Sequence, residues 1–174
     1  AAIVGIHEYP SRLVRPGTSA LQIKASSVAR ALEDAGLSWS DINAVYDTGS
    51  HQGIGGLGIS EYFGIKPKII DTTAVGGTSY EFQANHAATM IAAGKCDVAL
   101  LTYGSTSHSD RRAIGTAGAA AGGAPNPSGN MEASWGLTLI GNYAMVKNRH
   151  MHQYGTTNEQ FAAISVATRK HAMR

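Results

Sequence analysis

Apolar positions fall into short blocks separated by glycine, proline and polar clusters, and the spacing inside each block predicts an element. Ala1–Ile6 is a short apolar run that predicts a buried strand, followed by a Pro- and Gly-marked loop through Gly17. From Ser19 to Ala35, Leu21, Val28, Ala31, Leu32 and Ala35 recur at helical spacing, and Gly36 is placed to cap the end. Ser38 or Ser40 opens a brief helical turn, Ala44-Val45-Tyr46 reads as the next strand, and Gly49 begins a glycine-rich loop. Ile59–Phe63 predicts a short helix closed by Gly64, and Lys68–Asp71 a strand. Val75–Thr78 predicts a glycine-containing bend and Ser79–Ala93 a helix ended by Gly94. Asp97–Thr102 is a continuous apolar run, the pattern of a strand buried on both faces. Strands and helices alternate with short connections, which predicts an α/β sheet.

The alternation stops at Arg111. Ala113–Gly129 is a Gly/Ala/Pro stretch without periodicity or charge, read as a functional loop or a boundary. Beyond it, Trp135–Met151 predicts one helix. Thr156 or Thr157 with Glu159 or Gln160 forms a capping-box start, and a last helix carries Phe161, Ile164 and Ala167 on one stripe. The expected division is therefore 1–112 and 113–174. The chain opens without Met and stops at Met173-Arg174 inside a helical pattern, so the polypeptide is expected to continue.

Composition narrows the function. Charged residues are 15% of the chain, against roughly 25% in typical soluble domains, and the net charge of +2 is scattered, with Arg111-Arg112 the nearest thing to a patch. Neither nucleic acid nor a membrane surface is indicated. A single cysteine, Cys96, cannot form an internal disulfide. With no leader pattern and no apolar run near the ~18 residues of a spanning helix, a cytoplasmic protein is expected.

Several motifs compete for the chemistry. Gly53-Ile54-Gly55-Gly56-Leu57-Gly58 fits G-x-G-x-x-G, and Asp71 lies near the distance at which a dinucleotide site places its ribose-binding acid. The following helix is short and the motif is not at the first strand–helix turn, so a surface loop is favoured. Ser107-His108-Ser109-Asp110 has triad residue types, but adjacent residues cannot converge as a triad must. His108 keeps a place as a pocket-lining residue at a strand end. The histidines lack metal-ligand spacing, His150 and His152 being too close for one helix face, so no metal is expected. Cys96 leads directly into an apolar strand and reads as a small core residue. A reactive thiol belongs at a helix N-terminus. Gly76-Gly77-Thr78-Ser79 is such a place and holds no cysteine.

Asp71 to Ser79, the helix after it, Ala92-Ala93-Gly94-Lys95-Cys96-Asp97 and the apolar strand Val98–Thr102 resemble the nucleophile region of thiolases. Gly141-Asn142-Tyr143 to Thr156, followed by Glu159–Ile164, resembles the loop-domain segment of the sterol-carrier-protein and lipid-transfer-type subgroup. The resemblance implies an α/β thiolase fold, of which this chain would be one strand–helix half of the layered αβαβα duplication plus part of the loop domain, the C-terminal half lying elsewhere. It places the family's cysteine at Gly77, where no acyl-enzyme can form. Members without that cysteine include aldolases that cleave the side chain of steroid acyl-CoA thioesters alongside a small OB-fold, zinc-ribbon (DUF35-type) partner. The resemblance therefore implies retro-aldol cleavage of a β-hydroxyacyl-CoA, a homodimer, and no covalently bound cofactor. Its alternatives are a degradative thiolase or acyltransferase, or a non-catalytic acyl-CoA- or lipid-binding subunit. Tyr80, Ser79 and His108 are the candidate catalytic residues, Gly77 and Thr78 the candidates at the thioester, and Gly141 borders the expected CoA path. Backbone N–H groups at this helix start are placed to hold an oxyanion.

Overall fold

A computed structural model describes residues 1–48, 55–111 and 139–173. The chain divides into two compact units, 1–111 and 112–174.

In the first unit, α1 (Ala20–Ala35) starts at a capping box. Gln22 N–H donates to Ser19 Oγ and Ser19 N–H donates to Gln22 Oε1, which satisfies two donors that a helix start leaves open. Gly36 ends the helix at φ 66°, as its position predicts. A 3₁₀ turn over Trp39–Asp41 leads into β1 (Ala44–Tyr46), followed by α2 (Gly55–Phe63), β2 (Ile69–Asp71), a 3₁₀ turn over Gly76–Thr78, α3 (Ser79–Ala92) and β3 (Ala99–Leu101). The sheet is parallel with order β2-β1-β3 and pairs Ala44 with both Ile69 and Ala99. Parallel neighbours need crossovers; α2 lies between β1 and β2 in the chain, and α3 between β2 and β3.

Side chains alternate across β1 and make two cores. Val45 packs with Val28 and Leu32 of α1, Ile42, and Ile59 of α2. Ala44 and Tyr46 point the other way, against Ala87 of α3 and Cys96. Each fully buried aliphatic side chain here stabilises the fold by about 1.5–3 kcal/mol. Asn43 locks the entry to β3, its Oδ1 accepting from the N–H groups of Asp97 and Val98 and its Nδ2 donating to Asp97 Oδ2.

Two expectations need correction. Ala1–Ile6 forms no strand. Both edges of β1 are taken by β2 and β3, and the segment instead runs beside α1 with Ile3 87% exposed. There Ile6 N–H donates to Asp34 Oδ2, and a Cβ on Gly5 would lie 2.2 Å from Ala31 O. β3 is not buried on both faces either, because as an edge strand it leaves Leu101 exposed.

The second unit contains α4 (Leu139–Tyr154) and α5 (Asn158–Ala172). Gly155 between them has φ 69°, and Thr157 with Gln160 forms the capping box of α5. Lys147 of α4 donates to Asn158 Oδ1 and sits over the Phe161 ring. The expected stripe of α5 is open to solvent at Ile164. Among the described residues no helix is long and apolar enough to cross a membrane.

Candidate functional site at the carboxyl ends of the strands

In open parallel α/β sheets, ligands bind beyond the carboxyl ends of the strands, where helix N-termini also gather. Here that edge holds the turn between β2 and α3. Asp71 closes β2, and its Oδ1 accepts from both the N–H and the hydroxyl of Thr73, each at 2.7 Å. Gln83 of α3 reaches back, its Nε2 donating to Thr73 O at 3.1 Å. Gly76 turns the chain at φ 79°, a left-handed conformation that side chains resist. Thr78 Oγ1 donates to Val75 O.

Ser79 is fully buried, accepting from Val75 N–H at 2.9 Å and donating to Gly76 O at 2.6 Å. Its hydroxyl therefore shapes the turn. Thr78, the N-cap of α3, makes no side-chain cap bond, so no cap side chain occupies the first-turn donors. Gly77 is exposed, and a Cβ there would meet nothing within 4 Å. The position opens on space in front of the helix N-terminus.

Tyr80, in the first turn of α3, stands at the side of this space. Its ring meets Tyr103, just beyond β3, edge to face at 5.6 Å, and its hydroxyl hydrogen-bonds with Thr48, just beyond β1. Burial raises the Tyr80 pKa; the Thr48 hydrogen bond opposes this, and the neighbouring Tyr103 and Asp47 add to it. The phenol stays protonated and remains a donor.

Beneath it lies a buried ion pair, Lys24 Nζ to Asp47 Oδ1 at 2.8 Å, with side chains 4% and 2% exposed. Gly104 lets the loop after β3 close over it, since a Cβ there would lie 2.7 Å from Ala20 O and 2.8 Å from Lys24 Cγ.

The chain is related to proteins named aldolases and lyases. It is 30% identical to the steroid side-chain-cleaving aldolase of Thermomonospora curvata, over 90% of this chain and 41% of that protein. It is 31% identical to the 17-hydroxy-3-oxo-4-pregnene-20-carboxyl-CoA lyase of Mycobacterium tuberculosis, over 99% of this chain and 45% of that protein. The solved structure of an Ltp2-ChsH2(DUF35) aldolase superposes with a TM-score of 0.72 at 29% identity, over 98% of this chain and 43% of that one. The chain thus spans less than half the length of these relatives. A shorter likeness, 49% over 41 residues, is to an acetyl-CoA acetyltransferase of Methanothermobacter thermautotrophicus, covering 24% of this chain and 11% of that protein. No family model matches the chain.

Of the residues singled out by sequence, Gly77, Thr78, Ser79 and Tyr80 fall together at this turn. His108 is exposed in the turn after Tyr103, and no hydrogen bond or ring contact joins it to Tyr80 or Ser79 among the described residues. Neighbouring Ser109 Oγ accepts from Val14 N–H, a tie to the N-terminal loop. Gly141 lies near the start of α4, in the second unit. Cys96 is 2% exposed and precedes β3, at the amino edge of the sheet opposite this turn. Burial, then Asp97, push its thiol pKa up, which leaves it protonated and unreactive.

Of the glycine-rich motif, Gly53 and Ile54 lie outside the described residues. Gly56 sits in α2, where a Cβ would lie 2.6 Å from Ile70 Cγ2, so this glycine serves helix–strand packing. Among the described residues no group of three His, Cys, Asp or Glu side chains is placed to hold a metal. Lys24, Asp47 and Thr48 were missed by sequence reading. A lysine one turn into an otherwise buried helix face, at Ile23-Lys24, was the available signal.

Proposed function

We propose that the protein is a carbon–carbon lyase of thiolase fold that cleaves a β-hydroxyacyl-CoA thioester of steroid side-chain type by a retro-aldol reaction without a covalent intermediate. The observation carrying this is Gly77, an open position without a side chain at the N-terminus of α3, in a chain similar to proteins named aldolases and lyases.

A base removes the proton of the β-hydroxyl, the Cα–Cβ bond breaks as that oxygen becomes a carbonyl, and the electron pair passes into the thioester as an enolate. Protonation at Cα then releases the shortened acyl-CoA. The N–H groups of Gly77 and Thr78 are assigned to the enolate oxygen. Tyr80, held protonated by burial, donates a further hydrogen bond. Ser79 keeps the turn in shape, His108 lines the outer pocket, and Gly141 borders the CoA path. The base belongs to the remainder of the protein. No cofactor is bound covalently; CoA arrives with the substrate. The assembly is a homodimer with a small OB-fold, zinc-ribbon partner of the DUF35 type, a reading supported by the likeness to the Ltp2-ChsH2(DUF35) aldolase.

The short acetyltransferase likeness favours one alternative, a CoA-dependent acyltransferase. The two separate in one assay, with a β-hydroxyacyl-CoA and a β-ketoacyl-CoA offered with and without free CoA and partner protein. Cleavage of the hydroxy compound without free CoA supports the lyase. CoA-dependent cleavage of the keto compound supports the transferase, and binding without cleavage supports a non-catalytic subunit.

A further inference from the structure

The buried face of α1 carries Ala20, Ile23, Val28 and Leu32, and Lys24 lies among them. Its Nζ meets Asp47 Oδ1 at 2.8 Å, with both side chains almost wholly buried. Exchanging such a pair for apolar side chains of similar volume is often neutral or stabilising. Stability therefore gives no reason for an ion pair at this point of the core. Its position in the chain does.

Asp47 is the residue after β1. Its N–H donates to Asp71 O at 3.0 Å, and Thr102 N–H donates to Tyr46 O at 3.3 Å, so the ladders on both sides of β1 close here. Thr48 comes next, and its side chain hydrogen-bonds with the Tyr80 hydroxyl. The carboxylate pinned by Lys24 thus adjoins the residue that holds the phenol. The loop after β3 serves both ends of this chain of contacts. Gly104 approaches Lys24 so closely that a Cβ would lie 2.8 Å from Lys24 Cγ, and its neighbour Tyr103 meets the Tyr80 ring edge to face at 5.6 Å.

A phenol carries one proton. For Tyr80 to give that proton to an enolate, its bond with Thr48 must be one in which Thr48 donates. The Thr48 hydroxyl then fixes the phenol oxygen and leaves the phenol proton for the substrate. A group aimed in advance in this way needs no rearrangement as charge develops.

We propose that Lys24, Asp47 and Thr48 are positioning residues for Tyr80: the buried ion pair fixes the end of β1, and Thr48 carries that fixed geometry to the phenol. This rests on the lyase reading for what Tyr80 does, whereas the tyrosine signal used below does not.

The test uses the full-length protein in its native assembly with tyrosines labelled with ¹³C at the ζ carbon, the Tyr80 signal being the one lost in Tyr80→Phe. Thr48→Val and the double replacement Lys24→Met with Asp47→Leu are each expected to displace that signal, and Thr48→Ser is expected to restore it. The double variant should melt near the wild type while its Tyr80 signal stays displaced, which a purely structural ion pair would not produce. Thr48→Val leaves the pair intact and reads the last link by itself. On a β-hydroxyacyl-CoA, Thr48→Val and the double variant should each lower kcat by about tenfold, the worth of one hydrogen bond, with KM nearly unchanged. Neither should cause further loss in a Tyr80→Phe background. A Tyr80 signal that stays at its wild-type position in either variant overturns the proposal, whether or not the protein cleaves. So do losses that add to that of Tyr80→Phe. A wild-type protein that cleaves nothing overturns the lyase reading instead, and the Tyr80 signal still decides the positioning.

Discussion

Two adjacent glycines at the β2–α3 turn do different work. Gly76 is held at φ 79°, where a side chain is strained, whereas Gly77 has an ordinary backbone conformation and open space where a Cβ would be. Gly76→Ala should therefore destabilise the protein by about 1–2 kcal/mol. Gly77→Ala should be neutral or stabilising by up to about 1 kcal/mol through loss of unfolded-state freedom. Urea midpoints of the two variants check this, and equal losses would contradict the geometry. Tyr80→Phe keeps the ring against Tyr103 and removes the hydroxyl together with its hydrogen bond to Thr48. It should change stability little and lower cleavage by roughly 10²–10³ in kcat if the phenol acts on the enolate, with KM nearly unchanged.

Asp71 supplies a prediction in pH. Burial acts to raise its pKa, but the hydrogen bonds from Thr73 and the contact with His86 outweigh it, so the folded value lies below the usual 3.8. The stabilisation is therefore present above about pH 4 and is lost as pH falls through the lower folded value. Unfolding followed from pH 5 to pH 2 should show an acid limb that Asp71→Asn flattens; an unchanged limb would assign it to other carboxylates.

At the scale of elements, the sequence was most legible where period and punctuation agreed. Ser19, Gln22 and Gly36 mark both ends of α1, and Thr157 with Gln160 marks the start of α5. It was least legible where an element depends on what lies beside it. Ala1–Ile6 has strand composition but lies beside α1 and outside the sheet, and the Asp97–Thr102 run reads as a strand buried on both faces although β3 is an edge. The turn at Gly76–Ser79 could be found from its glycines before a helix, but not that Ser79 faces inward. The long-range partners were hidden, because Lys24–Asp47 and Asp71–His86 are pairs that only the packing of α1 and α3 against the strand ends brings together. Lys24 packs against β1 through its charge. Lys24→Met, which removes the charge opposite the buried Asp47 carboxylate, should cost about 3–5 kcal/mol by denaturant titration. Replacing both partners with Met and Leu should recover most of that loss.

At the scale of the whole molecule, the first unit carries the turn at Gly76–Ser79, and the second carries α4 and α5 with Gly141. The relatives named as a lyase and an aldolase are more than twice as long as the aligned part, so the complete protein is the object to assay. The central claim is that cleavage proceeds with no acyl-enzyme. The most direct measurement mixes the complete protein with a β-hydroxyacyl-CoA in the absence of free CoA, quenches during turnover, and records both products and the intact protein mass. Carbonyl compound and shortened acyl-CoA are expected in equal amounts from a protein of unchanged mass. A protein heavier by the acyl group, or product that forms only once CoA is added, would contradict it.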